Sequence, residues 1–295
     1  MNFVKKEISF LVSSDPTVGA INRSPDGSKF EVQLEEALEV PKDAINCTLQ
    51  VESSTIWFTT PNFIEGQNNK FYVFGDREDG APAQNFVVEI PQGLYDLIGL
   101  NRALISGFEA AGAKITDNGE SKPLITLSPD DNTQRVILRV NYPNVTVDFT
   151  QPDTPYEILG FPQDVIGPIP GAPVNLLAPD IAAFNQVNYF LIGSDLVQKG
   201  IRFNNRYNQI INQTLIDVAP GSQIVSTPFN PARTNCPELI GAKRTNIRFF
   251  LTDDKLRPVN TNGEYYTARI VIKYLIPMVM KIEGSSGNGS NGSFY

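Results

Sequence analysis

The chain has 295 residues, of which 41% are hydrophobic and 19% charged, enough to bury a sizeable core and too apolar for a disordered segment. Its net charge of -8 argues against a surface that binds nucleic acid, which needs clustered Lys and Arg. Only Lys5-Lys6 and Lys243-Arg244 form adjacent basic pairs, and both read as solvated surface charge.

In chain order, the first element is a strand at Ile8–Val12. Phe30, Val32 and Leu34 then alternate with Glu31, Gln33 and Glu35, which predicts a strand with one buried and one wet face. Further strands are expected at Cys47–Phe58, Lys70–Phe74 and Asn85–Ile90. Pro91-Gln92-Gly93 breaks the last of these, and an amphipathic helix follows. Its stripe is Leu97, Leu100, Leu104 and Phe108, widened by Ile98 and Ile105, and Gly112 is placed to end it.

Leu124–Leu127, Val136–Val140 and Val145–Phe149 read as strands, with Asp130-Asp131-Asn132 as a hairpin turn. Pro155–Leu159 predicts a short helical turn stopped by Gly160 and Pro162, and Asp180–Phe184 a third helical piece. The stretch 162–179, with prolines at 162, 168, 170, 173 and 179, reads as a loop: a long insertion, or a junction between two subdomains. Strands follow at Val187–Ile192, Thr214–Val218, Gln223–Thr227, Ile247–Leu251 and Tyr266–Ile272, about thirteen in all. Residues 1–27 form an N-terminal arm with the first strand, 28–282 the main body, and 283–295 a Gly/Ser/Asn tail ending in Phe294-Tyr295.

The chain contains no His, which removes Ser-His-Asp and Cys-His nucleophile activation and His-based zinc sites. Gly284–Gly292 lacks the Lys and the helix of a phosphate-binding loop. The carboxylate pairs Glu35-Glu36, Asp130-Asp131 and Asp253-Asp254 are neighbours in sequence. On a strand such neighbours point to opposite faces, so they make poor glycosidase pairs, and the last two read as turns. No catalytic, cofactor or metal site is expected. Trp57, Phe58, Phe63, Phe71 and Tyr72 read as core aromatics, the alternative being exposed rings that stack on sugars.

Cys47 and Cys236 are expected to be free thiols. The Asn-x-Ser/Thr triplets at Asn22, Asn46, Asn144, Asn212, Asn288 and Asn291 read as chance in an Asn-rich chain without a signal peptide.

One succession of short motifs is distinctive. Phe30–Leu34 leads to Val40-Pro41, Asn46–Phe58, Thr60-Pro61-Asn62-Phe63 and Asn68–Phe71. Ile90-Pro91-Gln92-Gly93-Leu94-Tyr95-Asp96 then opens the helix. Ile158-Leu159-Gly160-Phe161, Gly193-Ser194-Asp195-Leu196-Val197, Ile247–Asp254, Arg257-Pro258-Val259 and Asn262-Gly263-Glu264 complete it. Over most of residues 28–275 this order resembles the penton-type (minor) capsid proteins of polinton-like viruses, virophages and adintoviruses. The resemblance implies an all-β, mainly antiparallel jelly-roll sandwich with one or two short helices and a non-enzymatic virion protein made in the host cell. It implies a homopentamer that contacts a major capsid protein, without direct nucleic-acid binding. About thirteen strands exceed the eight of one jelly roll, which leaves two architectures: extra strands in an insertion, or two jelly rolls in tandem. The tandem form would suit a major capsid protein assembling as trimers. A carbohydrate- or receptor-binding sandwich is a further alternative. An internal membrane beneath the shell is left open.

Overall fold

The computed structural model describes residues 2–75, 83–112, 114–117, 120–171, 173–185 and 187–278. The tail 283–295, with Phe294-Tyr295 and the triplets at Asn288 and Asn291, lies outside them.

The chain begins with β1 (Phe3–Ser13), the short β2 (Ala20–Ile21), β3 (Lys29–Glu39) and β4 (Ile45–Trp57). On β3 the alternation that predicted the strand holds at its start, where Phe30 is buried and Gln33 and Glu35 face out. After Trp57 the chain leaves this sheet system for about 130 residues. There it forms β5 (Lys70–Gly75), β6 (Gln84–Glu89), α1 (Leu97–Ala111), a hairpin of β7 (Lys114–Asp117) and β8 (Glu120–Pro123), β9 (Ile125–Asp130), β10 (Arg135–Val140), β11 (Thr146–Asp148), α2 (Tyr156–Leu159), β12 (Val165–Ile166) and β13 (Val174–Leu177). It returns as β14 (Tyr189–Ser194), the small hairpin β15 (Arg202–Phe203) and β16 (Arg206–Tyr207), β17 (Ile210–Leu215), β18 (Gln223–Ser226), β19 (Thr234–Asn235), β20 (Lys243–Thr252) and β21 (Thr267–Pro277).

The first and last segments build one sandwich. One sheet runs β1-β21-β4-β18, with β19 also paired to β4; the other runs β17-β14-β20-β3-β2. If the eight principal strands are counted along the chain, the sheets read first-eighth-third-sixth and fifth-fourth-seventh-second. That is the double Greek key of a jelly roll. β1 pairs with β21 from Phe3↔Pro277 to Ser13↔Thr267, so the first and last described strands lie side by side in one sheet.

The sandwich core holds Leu49 and Val51 of β4, Ile270 and Ile272 of β21, Phe190 and Ile192 of β14, and Ile247, Phe249 and Leu251 of β20. Phe30 stacks on Phe249 at 5.5 Å and meets Tyr266 edge-on at 5.4 Å, which joins the two sheets through aromatic contact. The Tyr266 hydroxyl donates to the Ser28 carbonyl at 3.0 Å, and burial pushes its pKa up, so it stays a neutral donor. Ser54 Oγ on β4 and Thr214 Oγ1 on β17 lie 3.3 Å apart, a buried polar pair linking the sheets.

The middle segment has its own core, built from Phe71 and Val73, Phe86 and Val88, the Leu100, Leu104 and Phe108 stripe of α1, Leu138 and Val140, and Phe149 with Phe161. Its sheets run β12-β11-β5-β6 and β13-β10-β9. Neither order is that of a jelly roll, and the segment is threaded between the third and fourth sandwich strands. The architecture is therefore one jelly roll with an insertion, not two in tandem. Helix α1 starts where Asp96 accepts the Gly99 amide and ends at Gly112, whose φ is 69°. It packs closely on β6 because Gly107 has no side chain; a Cβ there would lie 2.3 Å from Val88.

Three expectations change. The Pro-rich stretch 162–179 is not a bare loop: it carries β12 and β13. Both are sheet-edge strands with the prolines outside their paired residues, so no ladder bond needs a proline amide. Asp180–Phe184 is not helical, because the amides of Asp180, Ala182 and Ala183 bond the carbonyls of Gly160, Gln134 and Ile158. The strand expected at Thr214–Val218 sits earlier, at Ile210–Leu215, where Ile210 and Ile211 are buried.

Asn22, Asn46 and Asn144, which open Asn-x-Ser/Thr triplets, all have left-handed backbone with φ between 51° and 59°. Asn tolerates that region better than most residues, which suits Asn22 and Asn144 to the connections they stand in and Asn46 to the irregular start of β4.

Candidate assembly and binding surfaces

The residues singled out for chemistry are dispersed. Glu35 and Glu36 are exposed on β3, at the break in its register with β20. Asp130 closes the β9–β10 turn, accepting from the Thr133 hydroxyl and the Gln134 amide, the latter through its carbonyl at 3.0 Å. Asp253 is buried and organises the β20–β21 loop. It accepts the amides of Lys255 and Arg257 at 2.9 Å and binds the Arg257 guanidinium through Nε and Nη2, both at 2.7 Å. Among the described residues no group of three or more Cys, Asp and Glu side chains is placed to hold a metal ion.

The aromatic run divides between the two cores. Phe58 is buried in the sandwich, Phe63 and Phe71 in the insertion, while Trp57 and Tyr72 are half-buried on outer sheet faces. Cys47 and Cys236 are buried free thiols with sulfurs 3.4 Å apart. Their mutual hydrogen bond, with burial, pushes the Cys236 thiol up.

Sandwich and insertion meet at a cleft of about 510 Å³, lined among others by Phe58, Asn62, Phe184, Val187, Asp253 and Arg257. Asn62, buried, ties the junction. Its Nδ2 donates to the carbonyls of Tyr95 and Phe184 at 2.8 and 3.2 Å, and its Oδ1 accepts the Tyr95 amide at 2.9 Å. These side-chain bonds all go to backbone, so Asn62 holds the outgoing chain against both the helix start and the returning chain. In the sequence Asn62 stands out only within the Thr60-Pro61-Asn62-Phe63 motif, which does not reveal its place at this junction.

Several outward surfaces are apolar. Phe74, Val87 and Val165 are exposed together on the outer face of β12-β11-β5-β6. Phe3, Ile45 and Met278 are exposed at the end of the sandwich remote from the insertion. Between β18 and β19, Phe229 is 99% exposed, flanked by Pro228 and Pro231. The sheet face beneath this loop carries an ion-pair ladder: Arg269–Glu52 at 3.6 Å, Lys273–Glu52 at 3.8 Å and Lys273–Glu7 at 3.9 Å. Grouped exposed hydrophobics rimmed by polar residues mark contact surfaces. No helix among the described residues is long and apolar enough to cross a membrane.

No protein-family model matches the chain, and no curated protein matches its sequence. Solved structures do resemble it. The mavirus penton protein, in a crystal structure, is 9% identical with a TM-score of 0.45, the match covering 92% of this chain and all of that one. A chain of the Sputnik virophage, from cryo-electron microscopy, is 14% identical with a TM-score of 0.36, covering 91% of this chain and 97% of that one. At these identities, function has to be argued from the strand order and surfaces of this chain itself.

Proposed function

We propose that this chain is a structural protein of a viral capsid, a penton subunit that closes into a homopentamer at the shell's vertices and contacts the major capsid protein. The observation that carries this reading is the strand order: a complete jelly roll whose two sheets remain uninterrupted while a second body grows from one connection at one end. Such a chain offers broad sheet sides to equivalent neighbours and a separate body at one end of the ring axis. Ring closure by five copies needs two different faces in contact, because heterologous contacts are what generate cyclic assemblies. The two sandwich faces differ in the required way. One carries the ion-pair ladder and Phe229, the other the half-buried Phe250 with Arg248, Glu31 and Asp195. The motif order along residues 28–275 supports the same assignment. In this reading the protein is not an enzyme and resides in the virion.

Native mass spectrometry of the purified full chain is the direct test. A species of five times the 32.5 kDa chain mass is expected. A stable trimer would replace the vertex assignment with that of a major coat protein, and a monomer at every concentration would remove the assembly reading.

A further inference from the structure

The chain has two cysteines, Cys47 on β4 and Cys236 just after β19. They stand 189 positions apart in sequence, yet their sulfurs meet at 3.4 Å. Each by itself reads as a small hydrophobe in the sandwich core, among aliphatic and aromatic side chains. That role does not require the only two thiols of the chain to touch.

Three observations fit the contact to a covalent bond. The first is register. Thr234↔Leu49 and Asn235↔Thr48 are paired, and the Cys236 amide donates to the Cys47 carbonyl at 3.0 Å, so the cysteines face each other directly across an antiparallel ladder. Facing residues that are hydrogen-bonded in this way have Cα atoms ~5.5 Å apart, inside the ~4.4–6.8 Å span of disulfides. The second is reach. Bringing the sulfurs from 3.4 Å to a bond length of ~2.05 Å takes about 1.4 Å of movement, shared between two side chains. The third is access. β19 is two residues long and, among the described residues, pairs only with β4, on the sheet edge where β18 also pairs. Residues 227–233 before it are exposed except for the half-buried Pro231. A short edge segment of this kind opens locally at small cost, and a dissolved reagent then reaches thiols that are buried when it is closed. This edge is neither of the sandwich faces assigned to ring contacts.

From this we infer that Cys47 and Cys236 are a modification site: a small-molecule disulfide oxidises them to an intramolecular disulfide that fastens β19 to β4. Each thiol gives up one proton and one electron as the S–S bond forms. Glutathione disulfide takes up both pairs: one cysteine thiolate attacks it and releases one glutathione thiol, and the second cysteine displaces that mixed disulfide and releases the other. In a reducing compartment the pair stays as thiols, and in an oxidising one the bond forms. Once β19 closes again, the bond is buried away from reductants. The loop it closes contains the whole insertion, so the cross-link removes conformational freedom from the unfolded chain. The inference does not rest on the vertex assignment, because register and contact both belong to a single subunit.

The test uses the full chain purified under reductant and incubated for hours with glutathione disulfide or with reduced glutathione, then alkylated in denaturant. After the oxidising incubation, intact mass spectrometry is expected to show two hydrogens lost, no glutathione adduct and no alkylation. Peptide maps without reductant should show one peptide pair joining Cys47 to Cys236, and gels without reductant no linked dimer. The Tm should stand about 5–10 °C above that of the reduced chain, and Cys236→Ala should abolish the difference between the two incubations. If C236A does not fold, the peptide map of the unaltered chain decides by itself. Two alkylated thiols after the oxidising incubation, a stable glutathione adduct on either cysteine, a bond between two chains, or a Tm no higher than that of the reduced chain overturns the inference.

Discussion

Replacing Leu104 by Ala tests whether the sandwich and the insertion are separate cooperative units. Leu104 is fully buried on α1, within a core that shares no strand pairing with the jelly roll. The substitution removes three carbon groups, about 2.4 kcal/mol of transfer free energy at ~0.8 kcal/mol each. The cavity left behind brings the cost to about 3 kcal/mol, inside the usual ~2–5 kcal/mol range for such changes. If the insertion opens by itself, about 3 kcal/mol raises its opening equilibrium ~150-fold. Hydrogen-exchange mass spectrometry should then show protection lost in α1, β9 and β10 while peptides from β4, β20 and β21 keep theirs. Leu49→Ala, fully buried on β4, is the reciprocal variant and should loosen the sandwich. A uniform rise in exchange across both cores in L104A would refute the reasoning, since it would mean that the two cores melt as one unit.

The buried Asp253 carboxylate accepts bonds from two amides and the Arg257 guanidinium, so Asp253→Ala should destabilise the β20–β21 loop by about 3 kcal/mol, read as a lower midpoint in urea. Burial works to raise the pKa of Asp26, but hydrogen bonds from Ser24 and Ser28 and the charge of Lys29 outweigh it and hold the carboxyl below its usual value. A depressed folded-state pKa contributes stability above the unfolded value, near ~3.9, that is lost as pH falls through the folded one. Asp26→Asn should therefore lower the Tm by about 2–4 °C at pH 7, after allowing for partial exposure, and the gap to the unmodified chain should close below about pH 4. Phe229→Ser should change monomer stability by less than ~0.5 kcal/mol, since the ring is bathed in solvent. If Phe229 anchors a neighbouring copy, the same variant shifts the assembly towards smaller species in sedimentation velocity.

Much of the fold was legible in local pattern. The alternation at Phe30–Glu35 and Val136–Val140 located strands because a half-buried sheet imposes a period of two. The stripe from Leu97 to Phe108, with Gly112 placed to end it, located α1, and the structure adds Asp96 as its N-cap. Elements shorter than a full period escaped. β12 and β13 hid among prolines, because a two- to four-residue edge strand is defined by its partner and not by its own sequence. The Asp180–Phe184 segment escaped for the complementary reason, its amides being claimed by residues 20 to 50 positions earlier in the chain.

The surfaces were less legible than the cores. Trp57, Phe58, Phe63, Phe71 and Tyr72 look like one cluster in sequence, yet they serve two cores and two outer faces, because the chain crosses from sandwich to insertion between Phe58 and Phe63.

By itself the sequence determined that this is a β-rich chain with one amphipathic helix. It also excluded chemistry that depends on histidine, since an absent side chain is absent from every fold. Only the tertiary structure decided that the strands form one jelly roll with a body inserted between its third and fourth strands. Strand order is set by pairings between residues as distant as Phe3 and Pro277, and those non-local bonds leave no mark in the local pattern that a sequence displays.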